Sequence, residues 1–244
     1  MVEASGTSSR RWLVTGASRG LGRAIAATAL ARGDRVCLVA RDKGIVEAAS
    51  ALGQDAIGVA ADVTREEDIR RACAAAAEQW GGIDILVNNA GLHRGGRVDS
   101  LDLDDWEQSL ATNLGGPMKT VRNALPFMGE GGAIINIGAV VGFRGFPGDS
   151  CYGASKAGLA GLTQVLAVEL ARQGIRVNLV VPGFVSTEMT QGLSERAKSA
   201  IIAKIPLRRM GDAEEIADVC WWVAGSTYMT GSVIMTDGGL MCSL

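Results

Sequence analysis

Histidine is nearly missing from this chain: His93 is alone among 244 residues. With one imidazole and no cysteine or carboxylate pair beside it, no metal site is expected. A catalytic triad built on a histidine base is excluded too, unless His93 itself serves. Cysteines are few and scattered, at Cys37, Cys73, Cys151, Cys220 and Cys242. Their number is odd and no CxxC occurs, so free thiols in a reducing cytoplasm are expected. Net charge is scarce as well: 24 basic residues stand against 26 acidic ones, leaving −2. That balance, without any basic block, argues against a nucleic-acid partner. No apolar run is long enough to span a bilayer, so no membrane partner is expected. The opening MVEASGTSSRR lacks the apolar stretch of a secretory signal, and a flexible tail is expected over residues 1–10.

What is abundant is short apolar runs alternating with helical spacing. Strands are predicted at 11–15, 35–40, 56–61, 83–87, 133–137, 176–181 and 232–236. Helices are predicted at 20–32, 43–53, 65–80, 104–128 and 152–173. The runs are continuously apolar rather than alternating, the mark of strands covered on both faces. Strand–helix repetition at this spacing implies βαβ units. The expected fold is therefore α/β: a Rossmann-type, doubly wound, seven-stranded parallel sheet in a three-layer α/β/α sandwich, one domain over 11–244. The two longest irregular stretches, 91–103 and 183–206, follow strands and so lie at the carboxyl edge, where such sheets bind ligands. The second, with a short helix at 193–202, suits a substrate lid. Pro117 falls inside the helix expected at 104–128 and predicts a kink just beyond Asn113.

The first strand runs into Thr15-Gly16-Ala17-Ser18-Arg19-Gly20-Leu21-Gly22. Glycines at this spacing allow a tight turn, close backbone approach to a ligand and a helix packed near the sheet. The helix that follows directs free N–H groups at a pyrophosphate. An ordinary glycine-rich turn is the alternative. The second strand ends Ala40-Arg41-Asp42, where a cofactor with a free ribose usually meets an acid. Arg41, with Arg19, offers a fork for a 2′-phosphate, favouring NADP(H) over NAD(H). Asp42 is the counter-evidence.

Tyr152 and Lys156 are four residues apart, on one helix face. A nearby ammonium favours the phenolate and is expected to lower the tyrosine pKa, readying it for proton exchange with an alcohol oxygen. With these stand Asp62-Val63, Asn88-Asn89-Ala90-Gly91, Asn113 and Pro182-Gly183, in this order. The set resembles the short-chain dehydrogenase/reductase family, and within it the 3-oxoacyl-(acyl-carrier-protein) reductases, through YGASKAGLAGLT, RVNLVVPGFVSTEMT and TGSVIMTDGG. The resemblance implies that Gly16, Ser18, Arg19, Gly20 and Leu21 cradle the phosphates. Asp62 and Val63 would hold the adenine, and Asn89, Ala90 and Gly91 would lie along the cofactor. Past Pro182 and Gly183, Val185 and Thr187 would meet the nicotinamide carboxamide. Tyr152 would be the proton donor, Lys156 would bind the nicotinamide ribose, and Asn113 would help hold a relay water.

The same resemblance places a serine 13 residues before the tyrosine, and this chain has Ala139 there. Three readings stay open: a reductase using another donor, a slow or specialised reductase, or an NADP-binding homologue with weak or no catalysis. Ser150 and His93 are the alternative donors, although a solvated loop histidine is the plainer reading of His93. The substrate class is a ketone, with a 3-oxoacyl thioester one choice; Glu130, where a carrier-binding base is expected, weakens that choice. Arg94, Arg97 and Arg144 border the expected mouth, and Phe143, Phe146, Phe184 and Met189 an apolar cleft. The resemblance also implies a homotetramer, with Trp221 and Trp222 near one interface.

Overall fold

All seven apolar runs form strands: β1 (Arg11–Thr15), β2 (Arg35–Ala40), β3 (Ala56–Ala60), β4 (Ile85–Asn88), β5 (Ala133–Ile137), β6 (Arg176–Pro182) and β7 (Val233–Thr236). The computed structural model describes residues 9–192 and 194–242. Its single sheet has the order β3-β2-β1-β4-β5-β6-β7, and every pairing is parallel. Leu13, Val14, Leu38, Leu86, Val87, Ile134 and Ile135 are fully buried, as strands covered on both faces require. The helices α1 (Gly20–Ala31) and α2 (Ile45–Ser50) pack on one face. The helix α3 (Glu66–Trp80) packs on the other.

Successive strands step outward from β1 to β3, then the chain returns to lay β4 against β1. The helices that follow β1 and β4 lie on opposite faces of the sheet, and such a switch point is where α/β sheets take ligands. Arg11 forks onto Asp84, tying the lower ends of these two strands. Residues 1–8 of the expected tail lie outside the described residues; Arg10 is bonded to Asp34 through its backbone and its guanidinium.

The helix expected at 104–128 is not continuous. It comprises α4 (Leu103–Leu110), a π-turn at Ala111–Gly115, α5 (Gly116–Ala124) and a 3₁₀ turn at Leu125–Phe127. An α-helix would direct the N–H of residue 117 at the Asn113 carbonyl, and proline has none. The irregularity is thus centred on Asn113 itself, with the Gly116 N–H bonding five residues back to Ala111.

The long helix α6 (Ser150–Leu170) starts two residues earlier than expected. Between β6 and β7 lie α7 (Glu188–Gln191), α8 (Glu195–Ile202) and α9 (Ala213–Gly225). Leu193, the expected first residue of the lid helix, lies outside the described residues. The helix α9, unassigned in the sequence, completes the α1 layer. No helix among the described residues is long and apolar enough to cross a membrane.

Candidate functional site

The glycine loop leaves β1 at Thr15. Gly16 and Gly20 adopt φ of 66° and 53°, the left-handed region that favours glycine. A methyl on Gly22 would lie 2.4 Å from both the Asn89 amide nitrogen and the Gly16 carbonyl oxygen. The first N–H groups of α1 have no side-chain cap. Orphan donors at a helix N-terminus beside close-packed glycine backbone fit a pyrophosphate. Asn89 supports this loop from below: its amide donates to the Thr15 and Gly16 carbonyls, both at 3.0 Å. The Thr15 hydroxyl accepts from Asn89 and Ala90 N–H. Thr15 as a prop between loops was not singled out in the sequence.

Arg19 and Arg41 are exposed, and neither has an ion-pair partner among the described residues. The Asp42 carboxylate accepts from the Gly44 N–H at 2.8 Å, a local turn at the start of α2. Asp62 is similarly turned inward, accepting from the Thr64 N–H and hydroxyl. Val63 is buried against Gly116. Past β6, Gly183 passes so close to Asp237 that a methyl would lie 2.7 Å from its Cα. Val185 is buried and bridges to Gly211, and Thr187 caps α7. A methyl on Gly20 would lie 3.7 Å from the Thr187 Cβ, so the start of α7 faces the phosphate loop.

Tyr152 and Lys156 stand on one face of α6, the Lys156 ammonium 5.6 Å from the phenol ring centre. Lys156 is buried and donates to the Ile137 carbonyl at 2.7 Å. A methyl on Gly91 would lie 3.8 Å from this ammonium and 3.6 Å from the Asn113 amide oxygen, so all three meet at the carboxyl end of β4. The Asn113 amide accepts from the Leu92 N–H at 2.7 Å and donates to the Leu92 carbonyl at 2.9 Å. It also donates to the Ser155 hydroxyl, which in turn donates to the Tyr152 carbonyl. The direction of the tyrosine shift differs from expectation. Desolvation pushes the Tyr152 phenol up to about 12, with Asp149 adding to it. Burial pushes Lys156 down to about 8. At this separation desolvation outweighs the ammonium's pull on the phenol.

Ala139 leaves β5 with extended backbone and half-exposed methyl, leading into the 3₁₀ turn Val140–Gly142. Ser150 is exposed and lines a cavity of about 650 Å³ bounded by residues 96–99 and 141–150; Tyr152 is not in its wall. A smaller cavity of about 300 Å³ lies among Phe146, Phe184, Ile201 and Lys204. Phe146 and Phe184 meet edge to face there. The Met189 side chain is outside the described ones.

His93 is not simply solvated. Its ring packs edge to face on Tyr152 with centres 4.8 Å apart, and its Nε2 lies 2.9 Å from Asp149 Oδ1. Asp149 and Ser155 were not singled out in the sequence. Asp149, three residues before Tyr152, was the readable signal, because it shares the entry to the same helix. Of the arginines at the mouth, Arg94 pairs with Asp105 and Arg144 donates to the Leu240 carbonyl. Trp221 packs inside the chain, under the guanidinium groups of Arg10 and Arg32, while Trp222 is exposed.

A family model described as enoyl-(acyl carrier protein) reductase matches residues 16–241. A Bos taurus protein named 3-oxoacyl-(acyl-carrier-protein) reductase is 41% identical over 234 residues, 95% of this chain and 98% of its own length. A dehydrogenase/reductase from Sinorhizobium meliloti matches the structure with a TM-score of 0.90 at 34% identity, covering 96% of each chain. A blue fluorescent protein from a metagenomic library, solved in complex with NADPH, matches with a TM-score of 0.88 at 33% identity, covering 95% of this chain and 97% of that one.

Proposed function

The chain belongs to the short-chain dehydrogenase/reductase family, and from that premise we propose that it is an NADP(H)-dependent reductase converting a ketone, such as a 3-oxoacyl thioester, to a secondary alcohol. The observation that carries this reading is the meeting of Tyr152, Lys156 and the Asn113 amide at the carboxyl end of β4, beside a helix N-terminus without a side-chain cap. When bound, the reduced nicotinamide supplies a hydride to the carbonyl carbon. Tyr152 gives its proton to the oxygen as the carbonyl π pair closes onto it. A phenol held near 12 keeps that proton at neutral pH, which suits the reducing direction. Lys156, still mostly charged at pH 7 with its pKa near 8, would donate to the nicotinamide ribose.

Preference for the 2′-phosphate is supported by the two unpaired, exposed guanidinium groups of Arg19 and Arg41, and by Asp42 being engaged with Gly44. A homotetramer is supported by the exposed Val165 and Val168 on α6 and by the exposed Trp222 on α9. A second reading, a cofactor-binding homologue with little catalysis, is favoured by the missing hydroxyl at Ala139 alone. Losing one oriented donor costs about 3 kcal/mol in barrier height.

The deciding experiment follows NADPH oxidation with a 3-oxoacyl thioester, its 2-enoyl counterpart and simple activated ketones. Turnover is expected with the ketones and the 3-oxoacyl thioester. Tyr152→Phe is expected to lose roughly 100-fold or more while still binding NADPH; full turnover by that variant overturns the assignment. NADPH is expected to bind more tightly than NADH, and Arg41→Ala to narrow the gap. Equal affinities unchanged by that substitution overturn the NADP preference.

A further inference from the structure

We propose that His93, held by Asp149, supplies the hydrogen bond to the substrate oxygen that Ala139 has no hydroxyl to make; this rests on the reductase reading above. The imidazole is the side chain packed directly on the Tyr152 ring, at 4.8 Å and 83° between planes. It is fixed from two sides. Its neighbour Leu92 is bonded at both N–H and C=O by the buried Asn113 amide. Its own Nε2 meets Asp149 at 2.9 Å, and Asp149 immediately precedes α6, so carboxylate and phenol ride on one rigid element. The loop is further joined to that segment where Gly96 N–H donates to Gly148 and Gly96 bridges to Asp149.

A carboxylate only accepts, so Nε2 presents its proton to Asp149. Nδ1 is then the nitrogen left to meet the substrate; it donates only when the ring carries both protons, so the role requires the doubly protonated ring. An N–H so placed stabilises the negative charge that grows on the carbonyl oxygen as hydride arrives. The charged and titratable groups around the ring are Asp149, Tyr152, Lys156 beyond the phenol, and Arg94, which is already paired with Asp105. The side chain is 43% exposed, so the ring is accessible to a ligand. Ser150, the other alternative donor, lines a cavity whose wall does not include Tyr152. No atom balance changes: Tyr152 gives the proton, and His93 keeps its own.

Four full-length chains test this: native, His93→Ala, Ala139→Ser and the double variant, assayed for NADPH oxidation with the same ketone panel. In the native background His93→Ala is expected to lower kcat roughly 100- to 1,000-fold with NADPH affinity unchanged. In the Ala139→Ser background, where a hydroxyl takes over, the same change is expected to cost less than about ten-fold, because two donors serving one oxygen are not additive. Equal losses in both backgrounds, or a native chain indifferent to His93→Ala, overturn the inference and leave the reductase reading standing. A silent native chain that becomes active in Ala139→Ser overturns the inference and the reductase reading together, in favour of the cofactor-binding homologue with little catalysis. Silence in all four chains, with NADPH still bound, removes both.

Discussion

Lys156 is a charge placed where charge is costly. It is almost wholly buried and donates to the Ile137 carbonyl. Its pKa falls from 10.5 to about 8. Between those values the unfolded chain holds a proton that the folded chain has released, so this group's contribution to stability rises with pH across that window. Below pH 8 the folded chain carries the full cost, on the order of 3 kcal/mol. Lys156→Met removes the charge at similar length. Urea titrations are therefore expected to show the native chain's stability gaining on the variant's as pH rises from about 8 to 10.5, and parallel curves would refute the assignment. At this scale the candidate site was partly readable: Tyr152 and Lys156 stood out by type and spacing, and Asn113 through the family resemblance. The bonds of the Asn89 amide to the Thr15 and Gly16 carbonyls were not readable. The His93–Asp149 pair spans 56 residues of sequence, and no local pattern announces such a contact.

Strands were the most readable elements, because burial on both faces leaves an uninterrupted apolar run with few other interpretations. Helix ends were less so. The break at Asn113 was anticipated from Pro117, but its form as a π-turn depends on how the amide is anchored across to Leu92. The helix α9 was missed although its start carries a readable signature. The Asp212 side chain accepts from the N–H of residue 215, and Glu215 accepts from the Asp212 N–H. Asp212→Ala is expected to destabilise the fold by about 1 kcal/mol, read as a lower urea midpoint with unchanged slope. No change in midpoint would mean the cap is dispensable. Arg209 and the Asp212 N–H hold the Glu215 carboxyl down at about 2. The capped state is accordingly favoured above about pH 4.5 and loosens as pH falls toward 2.

At the scale of the molecule, the sheet order brings the loops after β1 and β4 together; the alternation of strands and helices implied a doubly wound parallel sheet without that order. What covers the outside did not. On α6, Leu159 and Leu166 face inward while Val165 and Val168 are 55% and 78% exposed. With a chain mass of 25.3 kDa, light scattering at micromolar concentration is expected to give about four times that value. Val168→Glu is expected to shift the population to smaller species, and a monomeric native chain would remove the tetramer proposal. One bond pattern bears on how such a protein changes over generations. Because Asn113 grips Leu92 at both backbone groups, and Gly96 is bonded to Gly148, residues 97–100 form the outer part of a loop clamped at its base. Side chains along it can be exchanged to meet a new substrate without disturbing the frame that aligns Tyr152, so the chain can acquire a different specificity one tolerated substitution at a time.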